Sequence, residues 1–479
     1  MQEYKMWIAG KWVDAESGKK YPVFNPVTEE VITELPLGGK VEVDKAVAAA
    51  KKAFPSWSKK SQAERSRIMD LIAAAIRDNA QELGRLELID HGFPLKLSNE
   101  LAFGTANSFD WVAQAAGSMM TGDLVPTDSN ALAYVKREPI GVIAIITPWN
   151  FPLMMITDKL SAVLAVGNTC VIKPPSIDSL SALKLAEILE KLDIPQGVVN
   201  VITGPGGTVG EALASHPDIS MVAFTGSCEV GKRIMELSSQ TVKRLQLELG
   251  GKNPVIILDN ANVDMAVGSG VFGQIFNCGQ VCGSPGRFYV HEKVYDQFVD
   301  KFVDGMKKVV VGNPADEKTQ MGPVVSAEHR ARVEGFIKSG IDEGAKLVLG
   351  GKRPAKAPLN KGYYVMPTVF THVKQNMTIA REEIFGPVAC IMEPFSSDDE
   401  VIAKANDNTF GLRASVYSKD RARVLRFAND LQAGTINANG SMGGELPWGG
   451  FKQSGLGKER FKWGLYEFSQ LKAVAINID

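Results

Sequence analysis

Between residues 141 and 240, short apolar segments alternate with segments of helical spacing, and this alternation restricts the fold more than any other feature. The apolar segments have the length of strands and cover 142–146, 170–173, 198–202 and 221–225. The segments between them place apolar residues three and four apart and cover 152–166, 180–192 and 229–240. Continuous apolar strands that alternate with amphipathic helices predict a parallel sheet with helices on both faces. The expected fold class is therefore α/β, and the alternation returns after residue 250.

The loops that follow these strands form the candidate ligand site. In parallel α/β sheets, ligands bind beside the carboxyl ends of the strands. This rule places four loops at one edge of the sheet: 147–150, 173–176, 204–210 and 226–227. The two glycine-rich loops among them are weak signals by themselves, because neither is a full match to the dinucleotide fingerprint G-x-G-x-x-G.

Length and charge exclude several classes of protein. The 479 residues are enough for about three domains. The 53 basic and 54 acidic residues leave a net charge of −1, which gives no sign of a nucleic-acid partner. The N-terminus lacks the apolar core of a signal peptide, and the longest apolar stretch, 141–155, is interrupted by Pro148, Asn150 and Pro152. Five cysteines, mostly in apolar runs, favour a reducing compartment. We expect a cytoplasmic protein that binds neither membrane nor nucleic acid.

The segment 276–287 carries two of the five cysteines, Cys278 and Cys282, together with three glycines. Most cysteines are buried and inert, and an ordinary thiol, with a pKa of about 8.5, is mostly protonated at neutral pH. The small residues around Cys282 leave its sulfur uncrowded, as a nucleophile requires. The two cysteines lack a second Cys/His pair at zinc spacing, so no metal is expected. All five histidines lie outside these loops, which leaves a Cys–His hydrolase without an obvious base.

Two polar residues at strand ends are candidates for catalysis. Asn150 follows the first apolar strand and could offer its amide N–H to an oxyanion; a Pro-Asn turn is the alternative. Glu248 lies on an apolar strand just before Gly250 and Gly251. Burial there would raise its pKa towards that of a general base, unless an ion pair satisfies it.

Six motifs occur in one order along the chain: Pro-Trp-Asn-Phe-Pro, Phe-Thr-Gly-Ser, Leu-Glu-Leu-Gly-Gly-Lys, Gly-Gln-Val-Cys, Glu-Glu-Ile-Phe-Gly-Pro and Pro-Trp-Gly-Gly-Phe-Lys-Gln-Ser-Gly. With them the chain resembles the NAD(P)-dependent aldehyde dehydrogenase superfamily over essentially its full length. The resemblance implies a Rossmann-type dinucleotide-binding domain (1–118 and 140–249) and an α/β catalytic domain (250–447). It also implies a β bridging element (119–139 and 464–479) that joins subunits into a homodimer or tetramer.

The resemblance also implies how the reaction would run. Cys282 matches the nucleophile, which forms a thiohemiacetal and then a thioester. Asn150 and the backbone N–H of Cys282 match the oxyanion hole. Glu248 matches the base that activates water, and its presence favours release of the free acid over transfer to coenzyme A. Lys159 and Glu459 match positions that relay the proton to solvent. A cysteine-dependent thioester hydrolase is the alternative from a different class.

The same matching implies NAD or NADP as cofactor. Lys173 matches the ligand of the adenosine ribose, Ser227 that of the pyrophosphate and Glu383 that of the nicotinamide ribose. The full set is Thr147, Trp149, Lys173, Ser176, Gly206, Gly226, Ser227, Leu249, Glu383 and Phe385. Ser176 stands where many NAD-preferring members carry Glu, whose charge repels a 2′-phosphate, so we expect NADP to be tolerated.

The residues that match the substrate pocket are Phe151, Met155, Asp158, Phe276, Met442 and Trp448. This mostly apolar and aromatic set suits aromatic or medium aliphatic aldehydes. Asp158 and Trp448 keep an amino- or betaine-type aldehyde open through charge and cation–π attraction, whereas no arginine is assignable to a dicarboxylic semialdehyde. Cys278 stands where cysteine is unusual: a reversible Cys278–Cys282 disulfide is one hypothesis, and a tolerated small residue is the alternative.

Overall fold

The computed structural model describes residues 3–127, 130–441 and 444–478. The predicted pocket residue Met442 lies outside the described residues. The strands are β1 (Met6–Ile8), β2 (Lys11–Val13), β3 (Lys20–Phe24), β4 (Val31–Pro36), β5 (Asp123–Val125), β6 (Ala131–Pro139), β7 (Val142–Ile146), β8 (Thr169–Lys173), β9 (Val199–Val201), β10 (Met221–Thr225), β11 (Arg244–Glu248), β12 (Asn253–Ile257), β13 (Pro285–Val290), β14 (Lys346–Leu349), β15 (Thr368–Val373), β16 (Val388–Met392), β17 (Phe410–Gly411), β18 (Arg413–Tyr417), β19 (Thr435–Ala438), β20 (Phe451–Lys452), β21 (Gly455–Leu456) and β22 (Ser469–Asn477).

The helices are α1 (Lys40–Trp57), α2 (Gln62–Asp78), α3 (Ala80–Asp90), α4 (Leu95–Gly104), α5 (Ala106–Met119), α6 (Pro152–Val166), α7 (Leu180–Glu190), α8 (Glu211–Ser215), α9 (Cys228–Ser238), α10 (Val263–Ile275), α11 (Tyr295–Lys307), α12 (Ala327–Asp342), α13 (Thr378–Arg381), α14 (Asp398–Asn406), α15 (Arg421–Asp430) and α16 (Phe461–Glu467).

The first sheet carries the predicted ligand edge. Within the described residues it has eight strands in the order β2-β1-β9-β8-β7-β10-β11-β21. The five strands from β7 to β11 are mutually parallel. The strand order reverses between β7 and β10, and ligands bind beside the carboxyl ends of strands at such a switch point. The α/β prediction is confirmed, and the loops after β7 and β10 lie at the switch point.

Alternate residues of β7 pack against helices on opposite faces of this sheet. Ile143 and Ile145 belong to the apolar core that contains side chains of α2, α6 and α7. Val142, Ala144 and Ile146 belong to the core that contains side chains of α1, α8 and α9. Because both faces are covered, the strand is apolar throughout, and its predicted bounds match the observed ones.

The second sheet has the order β14-β15-β16-β13-β12-β18-β19. Its pairs are parallel except for β14 with β15. The mostly apolar segment 364–369 predicts a strand over its whole length, whereas β15 begins only at Thr368. Tyr364 and Val365 are buried but precede Pro367, which has no N–H for a strand ladder. The segment is therefore apolar because it is buried, and only its last two residues belong to a strand.

The first helix is longer than the sequence predicts. Proline usually ends a helix, so the sequence predicts an end at Pro55, but α1 continues to Trp57. A proline in the last turn removes one helical hydrogen bond. Trp57 is completely buried, and the burial of so large a side chain offsets that loss.

The arm before β7 and the C-terminal segment form one small sheet, in the order β22-β6-β5. The C-terminal strand, for which the sequence shows no neighbour, pairs antiparallel with β6 from Ser469–Pro139 to Asn477–Ala131. Residues 464–467, expected in the same bridging element, belong to α16. Leu124 and Leu471 on this sheet are 77% and 62% exposed. Among the described residues, no helix has the length and apolar character needed to cross a membrane.

Candidate active site

Cys282 lies in a tightly turned segment, residues 276–284, which we call the cysteine loop. After α10, the backbone takes positive φ angles of 48° at Asn277, 55° at Cys278 and 72° at Gly279. A Cβ at Gly279 would collide with the carbonyl of Gly386, so this turn requires glycine. The Gln280 side chain donates to the Asn277 carbonyl over 3.1 Å and accepts from the Val325 N–H over 3.0 Å. Gln280 therefore stabilises the loop through one hydrogen bond within it and one to Val325 outside it.

The environment of Cys282 keeps its sulfur protonated. Burial, and then the nearby carboxylates of Glu383 and Glu248, raise the pKa of the Cys282 thiol to about 12. Its carbonyl accepts a hydrogen bond of 2.8 Å from the Asn253 side chain, which anchors the loop to β12. Because the thiolate is the reactive form, attack by this sulfur requires a base that takes its proton.

Asn150 reaches the cysteine loop from the carboxyl end of β7. Its side-chain amide donates to the Gln280 carbonyl over 3.0 Å. The Asn277 amide donates in turn to the Asn150 backbone carbonyl over 2.6 Å. The two asparagines therefore tie the loop to the ligand edge of the first sheet, as a joint site of Asn150 and Cys282 requires.

A buried histidine that the sequence analysis missed supports this tie. The His91 ring is 1% exposed and lies between Asn277, 2.8 Å from Nε2, and Asp178, 3.0 Å from Nδ1. Burial lowers the pKa of His91 to about 4. Burial, and then Asp90 and Glu87, raise the pKa of Asp178 well above its ordinary value. A neutral ring that donates from Nε2 to Asn277 therefore accepts the proton of the Asp178 carboxyl at Nδ1.

Glu248 lies at the end of β11 and is 2% exposed. Among the described residues, neither of its carboxylate oxygens has a hydrogen-bond partner. Burial, and then the charge of Glu459, raise its pKa well above the ordinary value. A Cβ at Gly449 would lie 2.7 Å from Glu248 Oε1, so glycine leaves the carboxylate its room. Among the described residues Glu248 therefore lacks the ion pair that the sequence left open as the alternative.

Lys159 and Glu459 form a buried ion pair beside Glu248. Lys159 comes from α6, and its side chain is 1% exposed. Its ammonium donates one hydrogen bond to the Glu459 carboxylate and another, of 2.7 Å, to the Thr225 hydroxyl. The structure thus brings Lys159, Glu248 and Glu459 together, as the relay prediction requires.

The predicted residues at the ends of β7, β8 and β10 offer polar groups to a ligand. The Thr147 hydroxyl is buried and has no partner among the described residues. Lys173 donates to the Pro174 carbonyl over 2.8 Å, and burial lowers the pKa of its ammonium to about 8. The Ser176 hydroxyl donates to the Gly204 carbonyl over 3.0 Å. Ser227 caps α9 by accepting from the Val230 N–H. A helix N-terminus favours phosphate groups.

Three further predicted residues shape this edge. Gly206 begins a short helical turn that leads into α8, and a Cβ on it would meet open space. A Cβ at Gly226 would collide with the Phe224 ring. The Leu249 side chain packs against Gly231 of α9. The backbone at Gly206 is therefore open to a ligand, and glycine at 226 leaves room for the Phe224 ring.

A second group of predicted cofactor residues faces the cysteine loop. Glu383 accepts from the Gly251 N–H over 2.9 Å, and burial raises the pKa of its carboxyl to about 7. The rings of Trp149 and Phe385 meet edge to face at 5.3 Å between centroids. The ligand edge of the first sheet offers the Lys173 ammonium, the buried Thr147 hydroxyl and the N-terminus of α9, and the cysteine loop faces the buried Glu383 carboxyl. These groups fit the phosphates and ribose hydroxyls of a dinucleotide.

The predicted substrate residues meet in an apolar cluster. Phe151 and Met155 are buried against Phe93, and the rings of Phe151 and Phe276 lie 5.7 Å apart. Trp448 borders the cysteine loop, since a Cβ at Gly283 would lie 3.0 Å from its ring. Phe151 and Trp448 thus contact two residues of the cysteine loop, Phe276 and Gly283.

Asp158 differs from its expected role as a free negative charge. Arg460, which the sequence analysis missed, contacts Asp158 Oδ2 from Nε at 3.1 Å and from Nη2 at 3.0 Å. Ser108 donates to the other carboxylate oxygen. Both charged residues line a cavity of about 290 Å³ between α5, α6 and the start of α16. An arginine does therefore lie at the pocket, which the sequence could not assign.

The proposed disulfide finds no support in the geometry. The Cys278 thiol donates to the carbonyls of Gly322 and Pro323 at 3.1 and 3.3 Å. It is buried in the core of the second sheet, and both Cys278 and Cys282 are free thiols. A bridge to Cys282 would require Cys278 to leave these partners.

Comparison with known proteins agrees with this geometry. The model of the aldehyde dehydrogenase family matches residues 12–474. The betaine aldehyde dehydrogenase of Bacillus subtilis (strain 168) is 40% identical over 480 residues, which cover 98% of this chain and 97% of the relative. Aldehyde dehydrogenase 1A1 of Rattus norvegicus is 42% identical over 486 residues, covering 100% and 96%. A crystal structure of Staphylococcus aureus betaine aldehyde dehydrogenase in complex with NAD+ superposes with a TM-score of 0.97 at 36% identity, covering 99% and 95%.

The family model matches nearly the whole chain, the relatives are more than one-third identical to it, and the fold is shared. The chain therefore belongs to the aldehyde dehydrogenase family, and it is an NAD(P)-dependent aldehyde oxidoreductase.

Proposed function

We propose that this protein oxidises an aldehyde to the free carboxylic acid, with Cys282 as nucleophile and Glu248 as the base that activates water. The observation that carries the proposal is the Glu248 carboxylate, which is buried, without a hydrogen-bond partner among the described residues, and electrostatically coupled to Cys282. A carboxylate with a raised pKa can accept a proton at neutral pH. Transfer of the acyl group to coenzyme A would need no base to activate water.

The first half of the reaction forms a bond between Cys282 sulfur and the aldehyde carbon. The thiol proton passes to Glu248 as the sulfur attacks, because the thiol is protonated at rest. The resulting oxyanion lies between the Asn150 amide, which has a second N–H besides the one that holds Gln280, and the backbone N–H of Cys282. NAD or NADP, when bound, supplies the hydride acceptor that turns this thiohemiacetal into a thioester.

The second half releases the acid. After the thiol proton has left Glu248, this carboxylate takes a proton from water, the water oxygen attacks the thioester carbon, and the carbon–sulfur bond breaks to return the Cys282 thiolate, which regains a proton. Glu459 and Lys159 lie near Glu248 and form an ion pair with each other. They can pass the proton of Glu248 towards solvent.

We propose that both NAD and NADP bind. The Staphylococcus aureus relative was crystallised with NAD+, and the residues along the ligand edge suit that nucleotide. Ser176 brings no negative charge against the 2′-phosphate of NADP, and its hydroxyl is committed to Gly204. Ser176→Glu would then lower kcat/KM for NADP at least tenfold and change that for NAD little. Equal losses for both nucleotides would contradict this role.

Two substrate classes are supported at this stage. The apolar cluster of Phe151, Met155 and Phe276 suits aromatic or medium aliphatic aldehydes, and aldehyde dehydrogenase 1A1 is among the relatives. Betaine aldehyde dehydrogenases are equally close relatives, and Trp448 offers an aromatic face to a cation.

The test follows reduced nicotinamide by absorbance, with benzaldehyde, hexanal and betaine aldehyde, each with NAD and with NADP. Reduction that disappears in Cys282→Ala but persists in Cys390→Ala, a control for a cysteine in the core of the second sheet, supports the proposal. Ester or thioester cleavage at a rate independent of nucleotide would favour the hydrolase instead. Faster turnover with coenzyme A would favour acyl transfer.

We also propose the predicted division into cofactor, catalytic and bridging parts, a cytoplasmic location and assembly into a homodimer or tetramer. Exposed leucines on the β22-β6-β5 sheet support assembly, since Leu124 and Leu471 would be covered by a second copy. Light scattering after gel filtration should give a multiple of the chain mass. Leu471→Glu should lower that multiple, and a monomer in the wild type would contradict the proposal.

A further inference from the structure

We propose that the Arg460–Asp158 pair sets the charge preference of the substrate pocket, so that the enzyme selects uncharged aldehydes over quaternary ammonium aldehydes. This inference rests on the proposed aldehyde oxidation and decides between the two substrate classes left open above. It makes Arg460 a specificity-determining residue and Asp158 its partner.

The first observation is that the Asp158 charge is fully engaged. Both contacts from Arg460, at 3.0 and 3.1 Å, go to Oδ2, and Ser108 donates to Oδ1. The Asp158 side chain is only 10% exposed. A cationic substrate would therefore meet a carboxylate that already holds an arginine.

The second observation is that Arg460 lies against Trp448, the aromatic side chain that could bind such a cation. Its guanidinium lies 5.9 Å from the centre of the Trp448 ring, the distance at which cations interact with aromatic faces. Trp448 borders the cysteine loop at Gly283. Arg460 is also close enough to Cys282 for each to shift the pKa of the other. The cation-binding face of Trp448 is thus shared with a fixed positive charge.

The third observation is that the backbone is strained to hold Arg460 there. Arg460 and Phe461 have φ angles of +70° and +52°, a region that is unfavourable for a non-glycine residue. The strand-like contact of Glu459 with Trp448, through hydrogen bonds of 3.0 and 2.7 Å, fixes the residue before Arg460. The Phe461 ring meets Trp111 edge-on at 5.2 Å between centroids. The surroundings therefore impose the position of the guanidinium.

Removal of Arg460 would convert the pocket. Arg460→Leu leaves the Asp158 carboxylate unpaired in a poorly solvated cavity, where a negative charge attracts a cation strongly. It also frees the Trp448 face. Asp158→Asn has the opposite effect, because it leaves the arginine without its counter-charge. The two substitutions should therefore shift the charge preference in opposite directions.

The experiment compares two aldehydes of the same shape. Betaine aldehyde carries a trimethylammonium group, and 3,3-dimethylbutanal carries a tert-butyl group in the same place. For each variant we take kcat/KM for betaine aldehyde divided by kcat/KM for 3,3-dimethylbutanal. Differences in hydration of the two aldehydes cancel when this ratio is compared between variants.

We expect Arg460→Leu to raise the ratio at least tenfold over wild type, and Asp158→Asn to lower it. Arg460→Lys, which keeps the positive charge, should stay within about threefold of wild type, and the double variant Asp158→Asn/Arg460→Leu should return towards it. An unchanged ratio in Arg460→Leu would overturn the inference. An equal rise in the single and the double variant would overturn it too, because Asp158 would then not be the attracting group.

A second measurement keeps the inference separate from the proposed reaction. The rate at which iodoacetamide alkylates Cys282 is measured with choline and with its neutral analogue 3,3-dimethylbutan-1-ol. Protection by choline that appears in Arg460→Leu but is absent in wild type supports the role of Arg460 even if no aldehyde is oxidised. Equal protection in both proteins contradicts it.

Discussion

The buried His91 ring should make folding stability depend on pH in a way that a single substitution removes. Burial lowers its pKa from 6.5 to about 4. Below pH 6.5 the unfolded chain binds a proton at this ring that the folded chain does not bind until about pH 4. The folded pKa is depressed, so the stabilisation is present above the unfolded pKa and is lost as the pH falls towards the folded one. Linkage gives ~1.4 kcal/mol per pH unit within this window.

From near pH 7 to near pH 4.5, this amounts to a loss of roughly 2.5 kcal/mol from His91 alone. Glutamine is the matched replacement, since its amide can donate to Asn277 and accept from Asp178 but does not titrate. The assay is urea unfolding followed by tryptophan fluorescence, at one protein concentration and at both pH values, for wild type and His91→Gln.

The difference between the two proteins is the quantity that matters. Buried Glu87, Asp90 and Asp178 have raised pKa values, so they shift stability with the opposite sign in both proteins. We expect wild type to lose about 2.5 kcal/mol more than His91→Gln on acidification. Equal losses would mean that His91 binds its proton as readily in the folded as in the unfolded chain, and a greater loss in the variant would mean that the folded ring is protonated and ion-paired with Asp178. Either result would refute the neutral chain from Asp178 through His91 to Asn277.

Three further predictions concern the active site. Glu248→Gln should slow steady-state turnover by a factor of about 10²–10⁴, because Glu248 is the base in both halves of the reaction; unchanged turnover would remove Glu248 from the reaction. Lys159→Met should destabilise the protein by ~3–5 kcal/mol because it leaves the buried Glu459 charge unpaired, and Lys159→Met/Glu459→Leu should regain most of that stability in thermal unfolding; additive losses would contradict a coupled pair. Gly279→Ala should abolish turnover and lower the melting temperature, because its Cβ collides with the Gly386 carbonyl; an active, stable variant would show that the cysteine loop needs no positive φ there.

The elements that the sequence predicts best are those whose whole environment is uniform. β7 is covered on both faces, so every residue is apolar and both of its ends are recognisable. The segment 364–367 shows the limit of that reasoning, since Tyr364 and Val365 are equally buried but do not belong to a strand. Apolar sequence reports burial, and it reports a strand only where the backbone also finds a partner.

The residues of the site also differ in whether the sequence could predict them. Cys282, Asn150 and Glu248 lie in ordered motifs, and the structure brings them to one place. His91 and Arg460 lie in no motif, and each acts through a residue far away in sequence: His91 contacts Asn277 across 186 positions, and Arg460 contacts Asp158 across 302. No local pattern encodes such a pair, because only the fold decides which charges face each other.

For that reason the charge of the pocket could not be read from its residue types. Asp158 alone implies attraction for a cation, and the sequence offered nothing to oppose it. The structure adds Arg460, and the sign of the effect reverses: a neutral pair in a poorly hydrated cavity favours a neutral guest, since any charged substrate must break the pair or stay unpaired itself. One arginine beside Glu459 can therefore change the charge preference of the pocket without a change of fold. The ratio of betaine aldehyde to 3,3-dimethylbutanal turnover measures that difference directly.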